Sequence, residues 1–303
     1  GGVLPFVIVG TRGYTGLLRQ IANEDGADGT VRVCAANLNA RGVTLDFRER
    51  DPDKVFQVWE SRLAREAPLA VLPTRTHGSI IDPERADPDN DEGIVETEAE
   101  RAQLGQLILQ ALGCRDMAEY AAIHEAWRQI SEATAQRAEA DADSLMNENP
   151  LADAYHQYLQ LNTYAVDDHG KPVADYFLEF FSNPRRADDA ANAYLHAHVL
   201  EDVKKNGQNA ALRNLYFDRS DLVNGYYPRF AAGEKPVLYL SVYADPPGDH
   251  VRYLDPDPSG AQGMVQVHLE GDATKRWLKR NTTHFLQIIL PRRPGDGVFE
   301  VKM

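Results

Sequence analysis

The hydrophobic period of this chain changes near Pro150, and no other feature limits its possible folds as strongly. Before that point apolar residues recur at helical spacing: Leu104, Leu107, Ile108, Ala111 and Leu112, broken by Gly113. Met117, Tyr120, Ile123, Trp127 and Ile130 then form a second stripe. Such a stripe buries one helix face and leaves the other in water. The polar, Ala/Glu-rich stretch 131–144 reads as a solvated helix extension or linker. After Pro150 the pattern becomes alternating, in short runs suited to strands. Residues 158–166, 176–181, 195–200, 237–244, 264–270, 285–290 and 298–301 are the strand candidates. Turn chemistry separates them, as in Asp167-Asp168-His169-Gly170-Lys171-Pro172 and Asp245-Pro246-Pro247-Gly248. Many short, punctuated strands predict an all-β, sandwich-like domain over 149–303.

The first part, 1–148, opens on Leu4-Pro5-Phe6-Val7-Ile8-Val9, an unbroken apolar run ended by Gly10. A run without alternation suits a strand buried on both faces, as in a parallel sheet. Val31-Arg32-Val33-Cys34-Ala35-Ala36 is a second strand candidate, and Leu69-Ala70-Val71-Leu72, stopped by Pro73, a third. The connection through 54–64 is expected to be helical or irregular. Together these predict an α/β segment. The apolar run starts almost at the first residue, without an initiator Met or lead-in, so the chain is expected to be the C-terminal portion of a longer protein.

Composition narrows the function classes. The 303 residues are 43% hydrophobic and 26% charged, ordinary values for two packed domains. A formal charge of −14 opposes a nucleic-acid binder, which needs clustered Lys and Arg along a phosphate backbone. It also gives no general attraction to anionic membranes. No apolar run is long enough to predict a transmembrane helix. Only Cys34 and Cys114 are present, outside any C-x-x-C motif, so neither a disulfide framework nor a zinc ribbon is expected. A reducing, cytoplasmic setting is the matching expectation.

The strongest candidate for chemistry is Asp28, in Asp28-Gly29-Thr30-Val31, with His77, in Thr76-His77-Gly78-Ser79-Ile80-Ile81. In α/β-hydrolases nucleophile, acid and histidine follow one another along the chain. Asp28 lies beyond the first strand candidate, and His77 just beyond the run 69–72. A histidine there would take a proton from a serine hydroxyl, and the carboxylate would hold its tautomer. The competing reading makes Asp28 a turn residue before Gly29 and His77 a helix cap.

The stretch Asp28-Gly-Thr-Val-Arg-Val-Cys-Ala-Ala-Asn-Leu-Asn39, with Thr76-His77-Gly-Ser-Ile-Ile81, resembles the acid and histidine segments of lipase/esterase-like α/β-hydrolases. Asn281-Thr-Thr-His-Phe-Leu-Gln-Ile288, with Pro291-Arg-Arg-Pro294 and Val298-Phe299, resembles the β-rich tail of some of these enzymes. The resemblance implies Asp28 as triad acid, His77 as triad base, an ester or lipid-ester substrate, and no cofactor or metal. The chain departs from the family in having no G-x-S-x-G elbow. Ser79 is too close to His77 in sequence to stand in. The nucleophile is therefore expected from sequence outside this chain, or the chain is catalytically dead.

Other patterns compete. Gly10-Thr11-Arg12-Gly13-Tyr14-Thr15-Gly16 after a strand looks like the phosphate-binding turn of an NAD(P)-binding Rossmann-type protein, with Arg41 as a partner for a 2′-phosphate. The chain supplies no further β-α alternation to complete that sheet. Asp87, Asp89, Asp91 and Glu98 match calcium-loop ligand spacing, but the glycine is misplaced and Pro88 intervenes. A solvated acidic loop is the simpler reading. His196 and His198 would share a strand face, yet no third metal ligand accompanies them. Tyr239, Tyr243, Tyr253 and Trp277 read as strand packing before they read as a binding surface. The leading expectation is a carboxylic-ester hydrolase. Its rival from another class is a non-catalytic binding or interaction protein on a degenerate hydrolase remnant, with the β domain as its contact surface.

Overall fold

A computed structural model describes residues 3–13, 26–49, 51–60, 65–81, 97–142, 155–182, 189–234, 236–245, 248, 250–254, 264–268 and 278–295. The first strands are β1 (Val7–Gly10), β2 (Arg41–Asp46), β3 (Phe56–Val58) and β4 (Leu69–Leu72). Then come β5 (Tyr158–Asp167), β6 (Tyr176–Phe181), β7 (Leu200–Lys205), β8 (Leu212–Asp218) and β9 (Val237–Ala244). The last are β10 (Val251–Tyr253), β11 (Met264–His268), β12 (Thr283–Leu290) and β13 (Arg292–Pro294). Helices α1 (Val33–Ala36), α2 (Pro52–Val55), α3 (His77–Ile81), α4 (Glu98–Gly113) and α5 (Met117–Ala142) lie in the first half of the chain. Two compact units result. One comprises Gly1–Asn39, Arg62–Tyr158 and Arg280–Thr283, and the other Ala40–Ser61, Leu159–Lys279 and His284–Met303.

In the first unit β1 and β4 pair in parallel, from Val7 opposite Leu69 to Gly10 opposite Leu72. Side chains of a strand alternate between faces, and here both faces are covered. Ala70 and Leu72 pack with Leu104, Leu107 and Trp127, while Val9 and Val71 pack with Val33, Ala138 and Tyr155. This double burial accounts for the unbroken apolar runs. Helix α4 starts at a capping box: Thr97 accepts from the Glu100 amide, and the Glu100 carboxylate accepts from the Thr97 amide at 2.8 Å. Helix α5 extends the stripe found in the sequence by three turns. Two of the polar residues in that extension bond to the backbone of β4. Ser131 accepts from the Val71 amide at 3.0 Å, and Thr134 donates to the Val71 carbonyl at 2.8 Å. Backbone groups of β4 would otherwise be buried without partners.

The second strand expected at 31–36 is instead the single helical turn α1. Arg32 is extended, and its carbonyl then accepts from the Ala35 and Ala36 amides at 2.9 and 3.1 Å. Small Ala35 and Ala36 favour that turn while Val33 and Cys34 still bury. The connection 54–64 holds the end of α2 and the short strand β3, so part of it is neither helical nor irregular.

The second unit contains a six-stranded sheet in the order β3-β2-β12-β5-β8-β7, a three-stranded sheet β11-β9-β6, and the pair β10-β13. β2 and β12 run parallel, whereas β2–β3, β7–β8, β6–β9 and β9–β11 are antiparallel. Both larger sheets feed one core: Val43, Leu45, Leu161, Phe217, Leu286 and Ile288 from the six-stranded sheet, Tyr176, Leu238 and Leu240 from the other. Helical segments enter it too, through Ala191, Leu195, Leu222 and Tyr226. Residues 195–200, read as a strand, form a wide helical turn over Leu195–Val199 before β7 begins. Leu195 and Val199 alternate with polar neighbours, but their spacing of four also suits one helix face, and both are buried. His196 and His198 are exposed on that turn rather than on a strand. Mixed sheets packed with helices give the chain α/β character. Among the described residues no helix is long and apolar enough to cross a membrane.

Candidate active site

Asp28 and His77 meet. The turn beyond β1 is closed by the Asp28 amide on the Val31 carbonyl at 3.2 Å, and Gly29 takes φ +92, a conformation that a side chain would strain. Asp28 Oδ1 accepts from the amides of Thr30 and Val31, at 3.2 and 2.9 Å. Those bonds fix the carboxylate and leave Oδ2 facing His77 Nδ1 at 3.1 Å. The main chains are tied as well, since the His77 amide donates to the Asp28 carbonyl at 2.8 Å. One Asp28 oxygen thus builds the turn, and the other faces the imidazole.

The electrostatic setting is asymmetric. The Asp28 side chain is 3% exposed and that of His77 39% exposed. The carboxylate is shielded, while the imidazole shows its far edge to solvent. Nδ1 is the ring nitrogen that meets the carboxylate, and Nε2 carries no hydrogen bond among the described residues. His77 is the first residue of α3, just after β4. The loop before it is stitched from within. Ser79 Oγ accepts from the Thr76 amide at 2.9 Å, its hydroxyl donates to the Thr76 carbonyl at 3.2 Å, and Arg75 Nη1 donates to the Ser79 carbonyl at 3.0 Å.

Those bonds make Ser79 a structural residue of the loop. Cys34 is no substitute nucleophile either, because burial pushes its thiol up from 9.0 to about 12 and holds it protonated. The glycine turn after β1 has its own local explanation. A Cβ on Gly10 would collide with the Arg75 carbonyl oxygen, which also accepts from the Arg12 amide at 3.1 Å. The bare backbone at Gly10 thus accommodates a neighbouring loop. Arg41, weighed as a 2′-phosphate partner, belongs to β2 in the second unit, whereas Gly10 belongs to the first. Tyr14 to Gly16, most of the acidic stretch 87–98, Trp277 and 298–301 lie outside the described residues. Glu98 is described, in the first turn of α4.

Sequence reasoning missed the tail's part in the first unit. Asn281, at φ +51, donates from Nδ2 to the Tyr155 hydroxyl at 2.8 Å. Asn37 Nδ2 donates to the Asn281 carbonyl at 2.6 Å, and Thr283 donates to the Cys34 carbonyl at 2.9 Å. The run Arg280-Asn281-Thr282-Thr283, rich in side-chain hydrogen bonders before an apolar strand, was the available signal.

No protein-family model matches the chain, and no curated protein sequence matches it. Solved structures do. Phospholipase PlaB from Legionella pneumophila superposes with a TM-score of 0.67 and 20% identity, over 99% of this chain and 59% of that one. The same phospholipase in complex with thio-NAD gives a TM-score of 0.69 at 20% identity, over 99% of this chain and 61% of that one. This chain therefore spans about three-fifths of the length of those structures, and it shares the fold of that portion of a lipase-type hydrolase.

Proposed function

We propose that this chain supplies the acid and the base of a serine-type carboxylic-ester hydrolase acting on lipid esters. The observation that carries the reading is the 3.1 Å approach of His77 Nδ1 to Asp28 Oδ2, on turns that follow two parallel strands. In this reading His77 Nε2 takes the proton of a serine hydroxyl as it attacks the ester carbonyl, then returns it to the leaving alcohol. Asp28 holds the Nδ1–H tautomer and stabilises the imidazolium in between. The serine belongs to sequence outside this chain, which has no G-x-S-x-G elbow. Fold likeness to a phospholipase favours a phospholipid ester over a small soluble one. No metal or organic cofactor is required by this chemistry. In chain order we read 1–148 as the hydrolase portion and 149–303 as a sandwich-like portion that serves substrate or partner contact.

The test uses the full-length gene product with a short-chain nitrophenyl ester and with phosphatidylcholine vesicles. His77→Ala is expected to lower hydrolysis of both by about 10⁴-fold or more. Unchanged turnover in that variant would overturn the proposal. Absence of any turnover in the unmodified protein would favour the interaction-protein reading.

A further inference from the structure

Asp28 stands near the tip of a narrow loop whose two arms run side by side. The Gly26 carbonyl accepts from the Val33 amide at 3.3 Å, Ala27 bridges to Arg32, and the Asp28 amide closes on Val31 at 3.2 Å. These bonds stiffen the loop within itself, and the His77 amide ties its tip. Its base needs separate support, because the contact with the imidazole allows little freedom. From 3.1 Å, an outward shift of about half an ångström takes Oδ2 beyond hydrogen-bond reach of His77 Nδ1.

That support is one aromatic ring. Gly26, at φ +70, lays bare backbone against Tyr158, and a Cβ there would overlap the ring edge and the His156 carbonyl oxygen. From the other arm, the Arg32 guanidinium lies over the same ring, 4.5 Å from its centroid. Tyr158 and Arg32 are both buried. The ring is itself fixed through its main chain, since the Tyr158 carbonyl accepts from the Asn281 amide at 2.8 Å. Asn281 also reaches the end of α1 beyond the loop, where its carbonyl accepts from Asn37 Nδ2 at 2.6 Å. Gly26, Arg32, Asn37, Tyr158 and Asn281 all belong to the first unit.

We propose that Tyr158 is the positioning residue of the acid: its ring sets the base of the loop so that the Asp28 carboxylate stands at hydrogen-bond distance from His77. This rests on the reading of Asp28 and His77 as the acid and base of an ester hydrolase. Tyr158 acts through Asp28 and takes no part in proton transfer. A catalytic pair must hold its geometry to within about half an ångström, and packing behind the pair supplies that precision. A ring suits the place because its face takes a cation while its edge takes bare backbone. An aliphatic side chain fills the volume without offering the face. Plain core packing would make Tyr158 matter equally in every variant. Positioning makes it matter only while there is a carboxylate to aim.

The test follows hydrolysis of a short-chain nitrophenyl ester by the full-length gene product, with folding of each variant checked by circular dichroism. Tyr158→Leu should lower kcat by about 10–100-fold and leave KM nearly unchanged. Tyr158→Phe, which keeps the ring, should retain most of the turnover. The deciding comparison is made in the Asp28→Asn background, where Tyr158→Leu should add almost nothing to the loss. An equal loss with and without the carboxylate, or an undiminished kcat in Tyr158→Leu, would overturn the proposal and leave the acid–base pair standing. Undiminished turnover in Asp28→Asn alone would instead remove the pair, and the positioning role with it. Should Tyr158→Leu not fold, Arg32→Met lifts the cation from the ring and leaves Tyr158 in place. It must then lower kcat only while Asp28 is present, and a loss indifferent to Asp28 would sink the proposal equally.

Discussion

A carboxylate that must orient a histidine has to be held still, and Asp28 is held by its own turn. The Thr30 and Val31 amides occupy Oδ1, so Oδ2 meets His77 without a further partner. Asp-Gly followed by two β-branched residues made the turn legible in the sequence, and the run after β4 made the histidine legible. Their approach was expected from motif order and family resemblance, while the parallel pairing that produces it, between two strands about sixty residues apart, was not legible. Cys34 shows a different residue-scale effect. Burial raises its pKa from 9.0 to about 12, against the pull of Arg32 in the other direction. Burial moves the Tyr155 hydroxyl upward as well. A thiol kept neutral by the fold contributes stability that is complete below pH 9 and falls as pH rises toward 12, since only the unfolded chain releases the proton early. Urea midpoints should therefore decline above pH 9, and Cys34→Ala should make the decline shallower. An identical slope in the variant would remove Cys34 from the account.

At the scale of elements, period was a good guide where it was long and a poor one where it was short. Helices α4 and α5, and strands β5, β6, β9 and β12, follow directly from recurring apolar residues. Residues 195–199 fit both periods, and packing of Leu195 and Val199 on one side selected the helical turn. Strands β2, β3, β7, β8, β10 and β13 escaped notice. In β2, Gly42 stands where an outward side chain would have marked the alternation, because Trp59 covers it. The start of α4 rests on local chemistry alone. Thr97 and Glu100 satisfy each other's backbone amides on an exposed surface. Thr97→Ala should cost about 1 kcal/mol, read as a lower urea midpoint. Thr97→Ser, which keeps the oxygen, should cost little. Equal losses in both variants would show that the cap bonds do not contribute.

The whole molecule carries a formal charge of −14, which opposes binding to phosphate backbones. Self-repulsion at that charge opposes compactness. Raising salt from about 0.01 M to about 0.15 M shortens the screening length from roughly 30 to roughly 8 Å, so the urea midpoint should rise over that range. A midpoint that falls would mean that attractive ion pairs, such as Arg280 with Glu132, outweigh the repulsion. The interleaving of the two units along the chain was not legible in the sequence. The switch at Pro150 separates helical from alternating sequence, but Ala40–Ser61 belongs with the second unit, and Arg280–Thr283 with the first. Such crossings are long-range pairings, which a one-dimensional pattern does not record.

The coupling between Asp28 and His77 is measured most directly by a double-mutant cycle on ester hydrolysis in the full-length protein. Asp28→Asn is predicted to lower kcat by about 10⁴-fold, because the tautomer is no longer held. Added to His77→Ala, it should then change little, as expected of residues that act as one unit. Losses that simply multiply, or an Asp28→Asn enzyme with undiminished turnover, would contradict the assignment of these two side chains as a catalytic pair.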